Sequence, residues 1–317
     1  MAWWKIVLIV IFALLLIFAL AFCFLANAAI DMFLKPESFW WKKAPWGSEP
    51  HYQKNEKEIR ERAEAWNSKV KSEDLYVTTD SGLKLHAVCY KNEQFTSSHK
   101  WVLIVHGYRG DLSNTRCYAV NYYEKGYNVL LPENRTTGQS QGRYIGMGYL
   151  EKTDNLLWLN KILELDNNAE IVLHGESMGS ATVMMMTGLE LPKEVKCAVA
   201  DCGYTSVWNQ FDYIMKGKKR FLLKLTSSFA KIRIGYGFKE ASSVEALKKS
   251  KTPTIFIHGA DDDFVPTFML EENYNALSLT EDKKEKHVFE GAAHCGSEFI
   301  NPDLYWKTVF NFIEKYL

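Results

Sequence analysis

The sequence predicts an α/β protein with a doubly wound, mostly parallel sheet, a helical cap insertion and an N-terminal transmembrane helix ahead of the domain. Three observations lead there. Continuous apolar runs of strand length recur at residues 101–105, 127–131, 171–173, 195–200 and 254–257, the pattern of strands buried on both faces of a parallel sheet. Segments with helical spacing fill the gaps, at 113–125, 150–165, 177–189, 268–277 and 302–317, and such alternation builds a sheet with helices on both sides. Residues 6–26 are apolar and uncharged, long enough at about 1.5 Å per residue to cross a bilayer core of roughly 30 Å.

Composition sets the outer limits. A chain of 317 residues, 47% of them apolar, buries one large core or two modest ones. Its 38 basic and 38 acidic residues balance, so no electrostatic case for nucleic acid exists. The 6 cysteines, at 23, 89, 117, 197, 202 and 295, lack paired C-x-x-C spacing, which argues against a zinc site and gives no disulfide framework.

In chain order, residues 1–28 read as a membrane anchor. The alternative is a cleaved signal peptide with Ala26, Asn27 and Ala28 as its cleavage site, but the apolar stretch exceeds the usual 7 to 15 residues or so of a signal core. Trp3, Trp4, Trp40, Trp41 and Trp46 fit interfacial belts, while Lys5 and the amino terminus on one side and Lys35, Lys42 and Lys43 on the other mean that a positive-inside count does not favour export of the domain. Residues 29–72 form a linker, rich in proline and tryptophan over 36–50. It ends in a charged helix over 54–71 with Ile59, Ala63 and Trp66 on one side. The domain proper, 73–317, opens with a hairpin: alternating strands at 75–79 and 83–90 flank Asp80, Ser81 and Gly82. Between the strands at 195–200 and 254–257, where one crossover helix suffices, the chain has helix-like pieces at 207–216, 221–231 and 244–249. An insertion over about 205–250 is expected to cap the site. Its basic run, Lys216, Lys218, Lys219, Arg220 and Lys224, reads first as solvated surface and second as a face toward anionic lipid or substrate.

The chemistry gathers around Gly175, Glu176, Ser177, Met178 and Gly179, between an apolar strand and a helix start. This is the G-x-S-x-G nucleophile elbow, in which glycines relieve crowding around a strained serine. Small residues also cluster in ordinary βα turns, so the reading depends on partners. A nucleophilic serine needs a base, a group to orient the base, and donors for an oxyanion. His106, His174 and His258 each end an apolar strand just before a glycine. His294 instead lies in a small-residue loop after the strand at 286–290, from which an imidazole reaches over the elbow. Asp261, Asp262 and Asp263 follow the preceding strand, Asp201 ends an earlier one, and spacing alone does not choose among the four. Oxyanion donors are expected from the backbone N–H groups of Met178 and of Tyr108, with Gly107 letting that loop turn close.

With His106 and Gly107, the 132–142 segment, the elbow, the 258–266 segment and Gly291 to His294, the chain resembles the α/β-hydrolase superfamily. Within it, the chain is similar to membrane-anchored or secreted serine hydrolases of Gram-positive bacteria related to the Bem46 group. The resemblance covers roughly residue 75 to the C-terminus. It implies the triad Ser177, Asp262 and His294, because the family's His-Gly-x-x-Asp-x-x-Val-Pro pattern falls on His258, Gly259, Asp262, Val265 and Pro266. It also implies an extracytoplasmic domain. Glu133 stands where the family often has Asp.

The expected activity is hydrolysis of a small-molecule or lipid-like carboxylic ester through an acyl-enzyme, with no cofactor and no metal. The competing readings are a peptidase or amidase with the same triad, and a catalytically inactive membrane-tethered binding protein. Aspartate is absent from the elbow's nucleophile position, which disfavours dehalogenase or epoxide hydrolase chemistry.

Overall fold

A computed structural model describes residues 2–36, 52–218 and 220–317. Trp40, Trp41, Trp46, Lys42, Lys43 and Lys219 lie outside the described residues, as does most of the 36–50 stretch. The chain begins with helix α1 (Trp3–Leu34), followed by α2 (Gln53–Asn67). The hairpin β1 (Glu73–Thr78) and β2 (Lys84–Tyr90) pairs antiparallel, Glu73 opposite Cys89 and Thr78 opposite Lys84. Then strands and helices alternate: β3 (Lys100–Val105), α3 (Leu112–Glu124), β4 (Asn128–Pro132), α4 (Glu151–Leu165), β5 (Glu170–Glu176), α5 (Met178–Thr187) and β6 (Val195–Asp201). Three helices separate β6 from the next strand: α6 (Val207–Ile214), α7 (Arg220–Ile234) and α8 (Ser243–Leu247). The chain closes with β7 (Thr254–Gly259), α9 (Phe268–Ala276), β8 (Lys284–Phe289), α10 (Ser297–Ile300) and α11 (Pro302–Ile313).

The strands form one sheet of 8 in the order β1-β2-β4-β3-β5-β6-β7-β8. β2 pairs antiparallel with β4, and every later pairing is parallel. The strand order reverses at β3, which has β4 on one side and β5 on the other. Loops leaving β3 and β5 therefore diverge to opposite faces and open a crevice beyond their carboxyl ends.

Strand β3 shows why its residues are apolar without alternation. Val102 and Ile104 pack with Tyr118, Tyr122, Trp306 and Phe310 of α3 and α11, whereas Trp101, Leu103 and Val105 pack with Trp158, Leu159 and Val183 of α4 and α5. Both faces are covered, so neither tolerates a polar side chain. On α2, Ile59, Ala63 and Trp66 are buried, spaced so that one helical stripe meets the domain.

A third cluster differs. It joins Ile30 and Leu34 of α1 to Phe211 of α6, to Leu223 and Ala230 of α7, and to Met178 and Met185 of α5. The apolar N-terminal helix thus continues beyond residue 28, through the first part of the expected linker, and its last turns pack within the domain.

Candidate active site

Ser177 occupies the one-residue bend between β5 and α5, with φ 55° and ψ −116°. A non-glycine residue is rarely held there, and surrounding structure has to impose it. The backbone shows how. The Ser177 N–H donates to Asp201 O at 2.8 Å, tying the bend to β6. A Cβ on Gly175 would stand 2.3 Å from Gly179 O, and one on Gly179 would stand 1.9 Å from Val105 O. Helix α5 packs so tightly against the strand ends that only hydrogen fits at either position.

His294 reaches Ser177 from the loop after β8. The Ser177 hydroxyl donates to His294 Nε2 at 2.8 Å, and His294 Nδ1–H donates to Asp262 Oδ2 at 2.7 Å. Asp262 is fixed from its other oxygen, Oδ1, which accepts the N–H groups of Phe264 and Val265 at 3.1 and 2.8 Å. His258, at the end of β7, places Nε2 2.8 Å from Val265 O and 3.2 Å from Asp262 Oδ2, so its proton is shared between them.

Electrostatics follow from this packing. Burial alone would raise the Asp262 carboxyl, but the His294 charge and hydrogen bonds from His258 and His294 outweigh it and hold it at about 2. Burial alone would lower His294; the Asp262 carboxylate and its hydrogen bond prevail, with Glu176 and Asp201 adding, and the imidazole lies above its ordinary value.

The other candidates separate cleanly. Asp261 and Asp263 are exposed while Asp262 is buried. The Asp201 carboxylate accepts from Tyr305 Oη at 2.8 Å and is pushed up to about 7 by burial. His106 donates to Gly107 O at 2.8 Å and accepts from the Asn134 N–H at 3.0 Å. His174 lies between Tyr122 and Tyr305, at 3.0 and 3.3 Å, lowered to about 3 by burial. Both brace loops and strands from inside the core.

Met178 is the first residue of α5, where a backbone N–H has no partner within its helix. The Gly107 backbone runs against the serine: a Cβ there would lie 3.3 Å from Ser177 Cβ. Tyr108 and Met178 line an apolar pocket with Ser177, joined by Phe33, Phe211, Ile214 and Phe264. A wider, more polar cleft lies on the histidine side, bounded by His294, Asp212, Arg220 and Phe268. Ile214 and Phe264 border both spaces, so the Ser177–His294 pair sits at their junction.

Cys202 and Cys295 place their sulfurs 3.6 Å apart beside His294, and the three side chains group their ligand-type atoms within 4.8 Å. Both imidazole nitrogens are already engaged, by Ser177 and Asp262, so a cation there would have to displace one of them.

Sequence reasoning gave no role of their own to three contributors. A Cβ on Gly259 would stand 2.1 Å from Ala292 O, so this glycine lets the histidine loop lie against the end of β7. Gln210 of α6 donates to Phe264 O at 2.7 Å, linking the inserted helices to the acid turn. Phe33 comes from α1. Of these only Gly259 carries a local signal, as a glycine at a strand end.

Sheet order, bend and crevice define a protein of the hydrolase class. A family model described as alpha/beta hydrolase fold matches residues 100–224. The uncharacterized Bacillus subtilis protein YqkD is 31% identical over 223 residues, 68% of this chain and 71% of that one. Among solved structures, an esterase of Pyrococcus furiosus superposes with a TM-score of 0.64 at 23% identity, over 79% of this chain and 95% of that one. An acylaminoacyl peptidase of Pyrococcus horikoshii gives 0.58 at 16%, over 78% of this chain and 42% of that one. The chain belongs to the alpha/beta-hydrolase family.

Proposed function

We propose that this protein is a serine hydrolase of carboxylic esters, with Ser177, His294 and Asp262 as its triad. The observation that carries the reading is the unbroken pair of hydrogen bonds from Ser177 Oγ to His294 and from His294 to Asp262, with the serine held in its strained bend. His294 Nε2 takes the hydroxyl proton as Oγ bonds to the ester carbonyl carbon. The developing oxyanion is held by the N–H groups of Met178 and Tyr108. As the intermediate collapses, the ester C–O bond breaks and His294 passes the proton to the departing alcohol. Water then attacks the acyl-enzyme with His294 again as base, releasing the acid and restoring Ser177. Asp262 keeps Nδ1 protonated and stabilises the imidazolium. Gly107, Gly175 and Gly179 serve the turns that bring these groups together.

The test is labelling of the purified protein with a fluorophosphonate probe. Modification mapped to Ser177 is expected, and folded protein left unlabelled there would overturn the reading. Amide cleavage is the second reading, favoured by the wide, partly polar cleft on the His294 side. A higher kcat/KM on aminoacyl anilides than on 4-nitrophenyl esters would establish it instead.

Residues 205–250, through α6, α7 and α8, are read as the cap over the 73–317 domain. Helix α1 is the one described helix long and apolar enough to span a membrane, and we read it as a retained anchor. Cleavage after Ala28 would discard the buried Ala26 and break the 2.7 Å bond from Arg233 to Asn27 Oδ1. Protease treatment of intact cells would assign the side on which the domain lies.

A further inference from the structure

Helix α1 divides into two parts. From Trp3 to Ala21 every residue is exposed, a length of roughly 28 Å, close to a bilayer core. From Phe22 onward one side enters the domain. The Phe22 ring meets Phe229 of α7 edge to face at 5.7 Å. Arg233 of α7 bonds Asn27 and, at 3.0 Å, Asp31. Ile30 and Leu34 are buried.

The last turn of α1 ends at the reacting serine. Tyr108, the residue whose N–H faces the oxyanion in our reading, donates its side-chain hydroxyl to Phe33 O. Arg109 donates to Lys35 O at 2.6 Å, and the Ile145 N–H donates to Leu34 O at 2.8 Å. The Phe33 side chain itself forms part of the wall of the apolar pocket that holds Ser177 and Met178. A hydrolase that merely needed tethering would not use its anchor as a pocket wall.

Helix α7 extends the apolar surface of α1. Leu222, Leu225, Phe229 and Ile232 repeat at helical spacing, with Phe221 72% and Ile232 83% exposed. The helix contains no acidic residue. Lys224, with no acidic partner among the described residues, lies beside the stripe, as do Arg220 and Lys231, which pair with Asp212 and Glu240. An exposed apolar stripe flanked by cations, continuous with a spanning helix, fits the interface of a bilayer carrying anionic lipid.

We propose that the substrate is an acyl ester dissolved in the membrane and reached along the apolar side of α7, with only the first carbons of its acyl chain against Phe33: the apolar space at Ser177 is a narrow slot of about 20 Å³, so the rest of the chain runs outward past that ring. This rests on the serine-hydrolase reading and adds the source and the acyl part of the substrate. From Phe22 to Phe33 the helix rises roughly 16 Å, so the ester must be lifted from the hydrocarbon. The stripe on α7 covers the tail over that distance. The polar alcohol part then faces the wider cleft beside His294.

The experiment uses full-length protein reconstituted in vesicles of phosphatidylcholine and phosphatidylglycerol, with 4-nitrophenyl acetate as the water-soluble probe and 4-nitrophenyl decanoate as the membrane-dissolved one. Phe33→Trp is expected to lower the decanoate-to-acetate ratio of kcat/KM by about tenfold or more, and Phe33→Ala to raise it. The double variant Phe221→Glu/Ile232→Glu is expected to slow decanoate hydrolysis in vesicles by about tenfold while leaving acetate hydrolysis unchanged. A ratio indifferent to both Phe33 variants, or a vesicle rate indifferent to the α7 variant, would overturn the proposal. Ser177→Ala separates the two levels: surviving hydrolysis would sink the hydrolase reading itself, whereas its loss together with an unchanged ratio would sink only the membrane substrate.

Discussion

The elbow end of the sheet and the corner where α1 meets α7 adjoin at Ser177, yet they are held by different means. At the elbow the constraints lie in the backbone: added side-chain atoms at Gly175 and Gly179 would fall 2.3 and 1.9 Å from carbonyl oxygens. The histidine loop is likewise tied by main-chain bonds, Ala260 N–H to Phe289 O and Asp261 N–H to Ala292 O, at 2.9 and 3.0 Å. At the α1–α7 corner, contacts are made largely by side chains, including one ring pair and one arginine, and much of the apolar surface is open. The first arrangement leaves its atoms little room to move, and the second absorbs substitution cheaply. Variants on the two sides should therefore fail differently.

The largest difference is expected within the aspartate turn. Asp262→Asn removes the charge and the acceptor that orient His294, and kcat should fall by about 10⁴ on a 4-nitrophenyl ester. Asp261→Asn and Asp263→Asn, both at exposed positions, should stay within about twofold. A comparable loss from either neighbour would remove the special status of the buried carboxylate. For stability, Gly179→Ala should cost more than roughly 4 kcal/mol, because backbone on both sides has to move, and failure to lower the thermal midpoint would show that α5 is free to shift.

A smaller and more specific effect is expected in pH. In the proposed mechanism His294 has to be neutral to accept the serine proton, so kcat/KM should rise with pH through its pKa, which neighbouring carboxylates hold above the ordinary value. Glu176→Gln deletes one of those negative charges without touching the triad hydrogen bonds. The protonated imidazole loses support, its pKa falls, and the acidic limb should move to lower pH by less than about one unit. A shift to higher pH would reverse the assigned sign.

The comparison also explains what could be read from the sequence. The alternation of buried strands and helices, the glycine-flanked bend at Ser177 and the chain order of serine, aspartate and histidine were legible because each is written locally, in periodicity, in glycines or in chain order. The choice among three adjacent aspartates was not: it depends on Asp262 being turned inward to accept two N–H groups and face two histidines, a tertiary outcome that only the family pattern pointed to. Asp201 could not be set aside locally either, since its partner Tyr305 lies 104 residues away. Least legible was Phe33. An apolar run reads as membrane whatever its last turn touches, and hydropathy has no feature that marks where a helix leaves lipid and enters protein.

The smallest effect is expected at the far side of the comparison, and it tests whether that corner is as tolerant as it looks. Arg233→Ala deletes the bonds to Asn27 and Asp31, at 2.7 and 3.0 Å, in a setting where water still reaches both partners. Such a pair contributes about 1 kcal/mol or less, so the domain should melt only a few degrees lower, by roughly 2–4 °C, with acetate hydrolysis intact. Buried Ile30 and Leu34 would still hold the helix in place. Loss of acetate hydrolysis in folded Arg233→Ala protein would mean that the position of α1 reaches Ser177 through Tyr108 and Phe33, and that the two regions act as one.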